Sequence, residues 1–319
     1  MNTTGSLAIQ AVAVLALAPL LGGIIGKVKA FVQKRKGAPV LQQYFDLVKL
    51  FRKGTVVSDT ASWIFRATPW IVFSSTLAAA LLVPVSTRLS AAAFAGDAIA
   101  MVSLLALGRF FLMLSALDTA GTFGGMGASR EAMVSALIEP SILVSLLTVG
   151  LIGGTTSVSG MMRAMAGAAG FPMARPALVL VFAAFLIIIL AESCRLPFDD
   201  PSTHLELTMI HEAMVLEYSG RDLALMEYAA SVKQLVLIAL AGNLLLPHDG
   251  LVTAGGLAGL ALSLALFAGK TILLAALVGA IESATVKVRL FSVPNLASLA
   301  FILSFFGFLL HFILGGGYV

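Results

Sequence analysis

Residues 177–227 read ALVLVFAAFLIIILAESCRLPFDDPSTHLELTMIHEAMVLEYSGRDLALME, passing from unbroken hydrocarbon into a strongly acidic stretch. The first part shows no alternation of apolar and polar residues, so it is not a half-buried strand, and its length suits a membrane helix. Eight of the chain's sixteen carboxylates then fall between Glu192 and Glu227, and apolar sequence resumes at residue 231. A carboxylate at membrane depth costs roughly 2.5–3.5 kcal/mol on insertion scales, so such a cluster must be paired, hydrated or sharing protons.

Working outward, the 319 residues are 59% hydrophobic and 11% charged, too apolar for a solvated surface. Continuous apolar runs predict eight spans near 5–26, 68–87, 98–117, 132–153, 177–194, 231–247, 252–278 and 296–315. The reading is an all-α integral membrane protein forming one polytopic unit over residues 1–319. The first span is expected to stay as an anchor, because no small-residue cleavage site precedes a soluble body. After Pro39, Val40, Leu41, Tyr44, Phe45, Val48 and Phe51 recur at helical spacing among polar residues. They mark an amphipathic helix on the membrane surface within a basic segment, residues 27–58. A long acidic loop, 195–230, joins spans five and six.

Lysine and arginine orient the chain. With the N-terminus outside, the inner loops hold Lys27, Lys29, Lys34, Arg35, Lys36, Lys49, Arg52, Lys53, Arg66, Arg130, Arg195, Arg221, Lys287 and Arg289, and the outer loops only Arg88, Arg163 and Arg175. That asymmetry puts the acidic loop on the cytoplasmic side. It also accounts for the net charge of +4 without any nucleic-acid partner. One cysteine, Cys194, and four histidines carry no CxxC or clustered ligand spacing, so any redox cofactor is expected in a partner subunit.

Ionisable residues within apolar runs are functional candidates that face protein or water. Glu139 lies about two turns into a hydrophobic helix, ahead of Pro140, and is read as a titrating group. Glu192 leads into Asp199, Asp200, Glu206, Glu212 and Glu217, which can form a continuous series with shared protons. Lys270, deep in the run 252–278, is the expected cationic member. Arg109, Lys233 and Glu282 are open to two readings, functional groups or local anchors. No Gly or Pro interrupts Thr203–Glu217, so a helix is expected there, with Glu206 and Glu217 on one face and His204 and His211 toward the other. The Gly-rich stretch Asp118–Glu131, DTAGTFGGMGASRE, lacks the strand and Lys-Ser/Thr of a phosphate loop and reads as flexible backbone that wraps a cavity wall or allows close helix approach.

Several ordered motifs carry a resemblance over essentially the whole chain. KVKAFVQKRKGAP at 27–39, LQQYFDLVKLFRK at 41–53, GASRE at 127–131, IEP at 138–140, AESCRLPFD at 191–199 and EYSG at 217–220 follow one another in order. Together they resemble the membrane subunit of respiratory complex I at the mouth of the quinone cavity, and its relatives in energy-converting membrane-bound nickel–iron hydrogenases. DTAGTFGGMGASRE and SVKQL at 231–235 are similar to the hydrogenase-4 and formate hydrogenlyase branch, and the acidic loop departs from the quinone-reducing pattern.

The resemblance implies an anchor subunit in the cytoplasmic membrane of a bacterium or archaeon. It would dock hydrogenase large and small subunits and an iron–sulfur protein on the cytoplasmic face and join antiporter-like membrane subunits. The nickel–iron centre and iron–sulfur clusters would lie in those partners, with no cofactor on this chain. By motif, Glu139, Glu192, Asp199, Glu206 and Glu217 would carry protons, with Asp200, Glu212 and Lys270 beside them. Lys27, Lys29, Gln33, Arg35 and Asp46 would serve docking, together with Arg130, Glu131, Arg195, Lys287 and Arg289. A quinone-site subunit of respiratory NADH dehydrogenase, a stand-alone ion permease and a passive scaffold are the other readings.

Overall fold

The computed structural model describes residues 3–86, 92–167, 175–199, 209–247, 256–286, 288–289 and 292–315. Every element in them is helical: α1 Thr3–Val32, α2 Gln42–Phe51, α3 Trp63–Leu82, α4 Asp97–Asp118, α5 Thr122–Gly153, α6 Val158–Gly167, α7 Pro176–Glu192, α8 His211–Val215, α9 Gly220–Leu245, α10 Gly256–Ala284 and α11 Val293–Gly315. Seven of these are long and apolar enough to cross a membrane; α7, with 17 residues, is a shorter apolar helix where a fifth full span is expected. The amphipathic helix forms as α2, with Leu41, Phe45, Val48 and Phe51 turned outward and Leu47 buried.

Two boundaries differ from the sequence expectation. Helix α5 begins at Thr122, ten residues before the expected span, so the Gly-rich stretch is helical. A Cβ on Gly127 would stand 2.8 Å from the Ile210 carbonyl oxygen, which shows what the missing side chain permits: α8 packs directly on α5. Helix α9 begins at Gly220, so the link from α7 ends at Ser219 and Glu227 is helical. Within that link the described residues form a helix only over His211–Val215. Asp200, His204, Glu206 and Lys287 lie outside the described residues, so the expected pairing of Glu206 with Glu217 on one helix face does too.

Helix α9 is the centre of the bundle: 72% of its apolar window is buried, against 22% for α11 at the periphery. It packs against α1, α2, α3, α7 and α10, while α11 lies between α5 and α7. In hydrocarbon, outward Trp63, Trp70, Phe110, Phe305 and Phe306 need no protein cover, and helix association rests on van der Waals packing and internal polar ties. One end of the bundle is held by Ser219 against Val56, by Asp118 accepting from the Ser62 N–H at 2.8 Å, and by the Val288 N–H on the Pro197 carbonyl. The opposite end is held by buried Asp97 accepting from Ser157 and the Val158 N–H, and by Gln10 and Asn243 donating to the Val83 and Pro84 carbonyls.

Two prolines inside spanning helices explain two tyrosines. Proline has no N–H, so the carbonyl four residues earlier loses its helical partner. For Pro19 in α1 that carbonyl is Leu15, and Tyr228 of α9 donates its hydroxyl to it at 2.9 Å. For Pro69 in α3 it is Phe65, and Tyr218 donates at 3.1 Å while stacking on the Phe65 ring. Tyr44 of α2 reaches the neighbouring Ala16 carbonyl. The backbone groups freed by the prolines are thereby satisfied, and the α8–α9 segment is tied to both proline sites.

Candidate functional site

The centre of the site is Arg109, which α4 carries into the bundle about two and a half turns before its end, with 5% of its side chain exposed. A buried guanidinium needs several acceptors because it stays charged and offers five donors. Two helices supply carboxylates. Arg109 Nη1 pairs with Glu139 of α5 and Nη2 with Glu192 at the end of α7. Its Nε lies 3.3 Å from Glu131 of α5, in charge contact without hydrogen-bond geometry. Lys233 of α9 reaches the other Glu192 oxygen at 3.4 Å. Three carboxylates therefore face two cations, so one bound proton brings the group to neutrality.

A cavity of about 30 Å³ adjoins this centre, lined by Arg109, Glu131, His211 and Lys233 among others. His211, Lys233 and Ala230 also line a second chamber of about 180 Å³, bounded by Glu192, Arg195, Glu212, Glu227 and Glu282. Gln43 and Arg195 in turn border a third cleft of about 330 Å³, which opens along Gly22, Gly23 and Gly26 of α1 beneath α2. A Cβ on Gly23 would fall 1.9 Å from the Val40 carbonyl oxygen, so only glycine lets the approach to α2 press this closely. Shared walls thus join the mouth beneath α2 to the Arg109 centre in sequence.

The 180 Å³ chamber is polar and roomy enough for several waters. Ser193 Oγ, Arg195 Nε, His211 Nδ1 and Gln234 Nε2 on its walls are buried and make no hydrogen bond to described protein groups. Burial and then the neighbouring Asp199 carboxylate raise Glu212 above the ordinary carboxylate range. Burial, reinforced by Lys233, holds His211 down at about 3, so its ring is neutral at physiological pH. Burial, with Glu131 next, pushes the Cys194 thiol well above its usual value, which agrees with a packed residue. Asp199 is itself buried and accepts from the Ile210 and His211 N–H groups at 3.0 and 3.1 Å, fixing the start of α8.

The geometry rearranges the expected site. Glu139 and Glu192 meet at one guanidinium, and Glu212 lines the chamber. Glu217 stands apart: the turn after α8 directs Tyr218 inward to Phe65 and leaves Glu217 exposed beside Gly121. Lys270 is not the cation of this group. It lies twelve residues before Glu282 on α10, about 18 Å along the axis. Its methylenes rest against Gly242 and its ammonium is 5.9 Å from the Phe267 ring centroid. Arg109 and Lys233 hold that place instead.

Among the expected docking residues, Gln33, Arg35, Asp46 and Arg289 are exposed. Lys27 is exposed too, but donates to the Lys36 carbonyl. Others are engaged internally: Lys29 and Arg195 both pair with Glu282, Arg195 also reaches Gln234, and Arg130 donates to the Met209 carbonyl. Glu131 is buried beside Arg109 and offers no docking surface, because α5 carries it into the bundle. His211, expected to project away from the carboxylates, lines the chamber with them, and Glu227 joins it there. Glu227 belongs to the acidic cluster of the sequence, but only the early start of α9 points it inward.

Comparison with known proteins agrees with this architecture. The family described as NADH dehydrogenase matches residues 5–312. Formate hydrogenlyase subunit 4 of Escherichia coli (strain K12) is 34% identical over 303 residues, 94% of this chain and 96% of the relative. Hydrogenase-4 component C of the same organism is 35% identical over 297 residues, 92% and 91% of the two chains. An NADH-quinone oxidoreductase subunit of Rubrobacter xylanophilus is 29% identical over 240 residues, 73% and 71%. A chain of the membrane-bound sulfane sulfur reductase, an archaeal respiratory membrane complex, superposes with a TM-score of 0.81 over 97% of this chain and 99% of that one, at 19% identity, a likeness of fold.

Proposed function

Because this chain belongs to the NADH dehydrogenase family, that of complex I subunit 1, we propose that it is the membrane anchor and proton-pathway subunit of an energy-converting hydrogenase complex of the hydrogenase-4 or formate hydrogenlyase type. Similarity to two such subunits over 94% and 92% of this chain, against 73% for the quinone oxidoreductase relative, favours this branch. The observation that carries the proton role is the run of shared walls from the mouth beneath α2, through the chamber, to Arg109 and its three carboxylates.

In this reading the α2 end faces the cytoplasm and the N-terminus lies outside, following the lysine and arginine asymmetry. Exposed Gln33, Arg35, Asp46 and Arg289 meet the hydrogenase subunits and iron–sulfur protein at that end. Antiporter-like subunits flank the chain within the cytoplasmic membrane. The nickel–iron centre and iron–sulfur clusters belong to the partners, and this chain moves protons only. A charge or shape change at the mouth shifts the balance of Glu192 between Arg109 and Lys233, so the surplus carboxylate takes up or releases one proton.

The test is Glu139→Gln in membranes holding the complete complex, with hydrogen evolution and the coupled ion gradient measured together. Loss of the gradient with an assembled complex is expected. Wild-type levels of both would refute the pathway.

A further inference from the structure

His211 occupies a stretch of wall, with Lys233 and Ala230, that belongs both to the 180 Å³ chamber and to the cavity beside Arg109. Its backbone is fixed from three directions. Asp199 accepts from the Ile210 and His211 N–H groups, Arg130 of α5 donates to the Met209 carbonyl at 2.7 Å, and Gly127 brings α5 against the Ile210 carbonyl. The main chain at His211 is therefore fixed at the wall, while its Nδ1 is buried without a hydrogen-bond partner among the described residues. Charged groups surround it from every packed element: Arg109 of α4, Glu131 of α5, Glu192 of α7, and Lys233 and Glu227 of α9, with Glu212 and Asp199 nearby.

We propose that His211 passes protons between the chamber and the Arg109 centre. This rests on the proton-pathway reading above and adds a residue that the carboxylate series alone does not contain. A neutral imidazole holds one proton and one free lone pair on its two nitrogens. A proton from a chamber carboxylic acid, Glu212 or Glu227, adds to the free nitrogen as that acid's O–H bond breaks. The proton on the other nitrogen then leaves for a carboxylate of the Arg109 group, where a new O–H bond forms. A tautomer exchange or ring turn restores the start, and no electrons move. Depression of the imidazolium by burial and Lys233 makes the charged intermediate short-lived and keeps the resting ring neutral.

The experiment uses the complete complex reconstituted in liposomes, with redox turnover and proton uptake recorded together, and co-purification checking assembly. His211→Gln keeps a polar side chain of similar reach but cannot relay a proton, and proton uptake per turnover is expected to fall roughly tenfold or more. His211→Ala is expected to fall likewise and to recover with added imidazole, which the chamber admits. Wild-type uptake in His211→Gln overturns the proposal. So does a loss in His211→Ala that imidazole leaves unrepaired, because that marks a packing role. Should Glu139→Gln be impaired and His211→Gln not, only the part given to His211 fails; an unimpaired Glu139→Gln removes the pathway itself.

Discussion

Removing one oxygen from α9, in Tyr228→Phe, is expected to destabilise the folded chain by about 1–3 kcal/mol, the cost of leaving a buried carbonyl without a donor. That carbonyl is Leu15, which Tyr228 reaches at 2.9 Å and which Pro19 cannot serve. At about 1.4 kcal/mol per tenfold, unfolding becomes roughly 5- to 150-fold more favourable. The Pro19→Ala background makes the test specific. An N–H at position 19 can bond Leu15 within the helix, so Tyr228→Phe should there cost only a few tenths of a kcal/mol, and the double-mutant cycle should return a coupling close to the single-mutant effect. Heating the chain purified in mild detergent with a thiol-reactive fluorogenic dye reads unfolding, because its single thiol, Cys194, sits in the chamber wall with its thiolate disfavoured by burial. Equal destabilisation by Tyr228→Phe in the native chain and in the Pro19→Ala background would refute the reasoning and reduce Tyr228 to ordinary packing.

Arg109→Met should destabilise by about 3–5 kcal/mol, because Glu131, Glu139 and Glu192 would stay in place without their shared cation, and Arg109→Lys should restore little since one ammonium cannot replace the fork; the same thermal assay measures both. His211 is held at about 3 when folded and returns to about 6.5 when unfolded. Between those values the unfolded state binds the extra proton, so stability falls as pH drops from about 6.5 toward 3. His211→Gln should remove one proton's share of that slope, seen as a shallower dependence of the thermal midpoint on pH.

Much of this architecture is legible along the chain. Each expected span overlaps a helix, and α2 forms where apolar residues recur after Pro39, because a membrane admits few ways of satisfying a backbone and periodicity exposes them. Members of the acidic cluster also come together in space: Glu192, Glu212 and Glu227 border one chamber. The misplacements have particular causes. Glu131 takes a docking role from the resemblance and falls just before the expected span at 132, whereas α5 begins at Thr122, packs its Gly127 against α8 and carries Glu131 into the bundle. Lys270 reads as the natural cation because it is deep in an apolar run, but depth along one helix says nothing about its neighbours on another.

The amino-acid sequence determines by itself that this is a polytopic helical membrane chain, which family it belongs to, and which residues must be shielded from hydrocarbon, since all of these follow from local composition, period and motif order. Only the tertiary structure decides that Arg109 gathers three carboxylates from two helices, that His211 stands between two cavities, and that tyrosines of the α8–α9 segment close the proline gaps of α1 and α3. Arg109 and Glu139 are 30 positions apart in the chain, and Leu15 and Tyr228 are 213 apart. Such contacts depend on how the helices rotate and slide against one another, which spacing within any single helix does not encode.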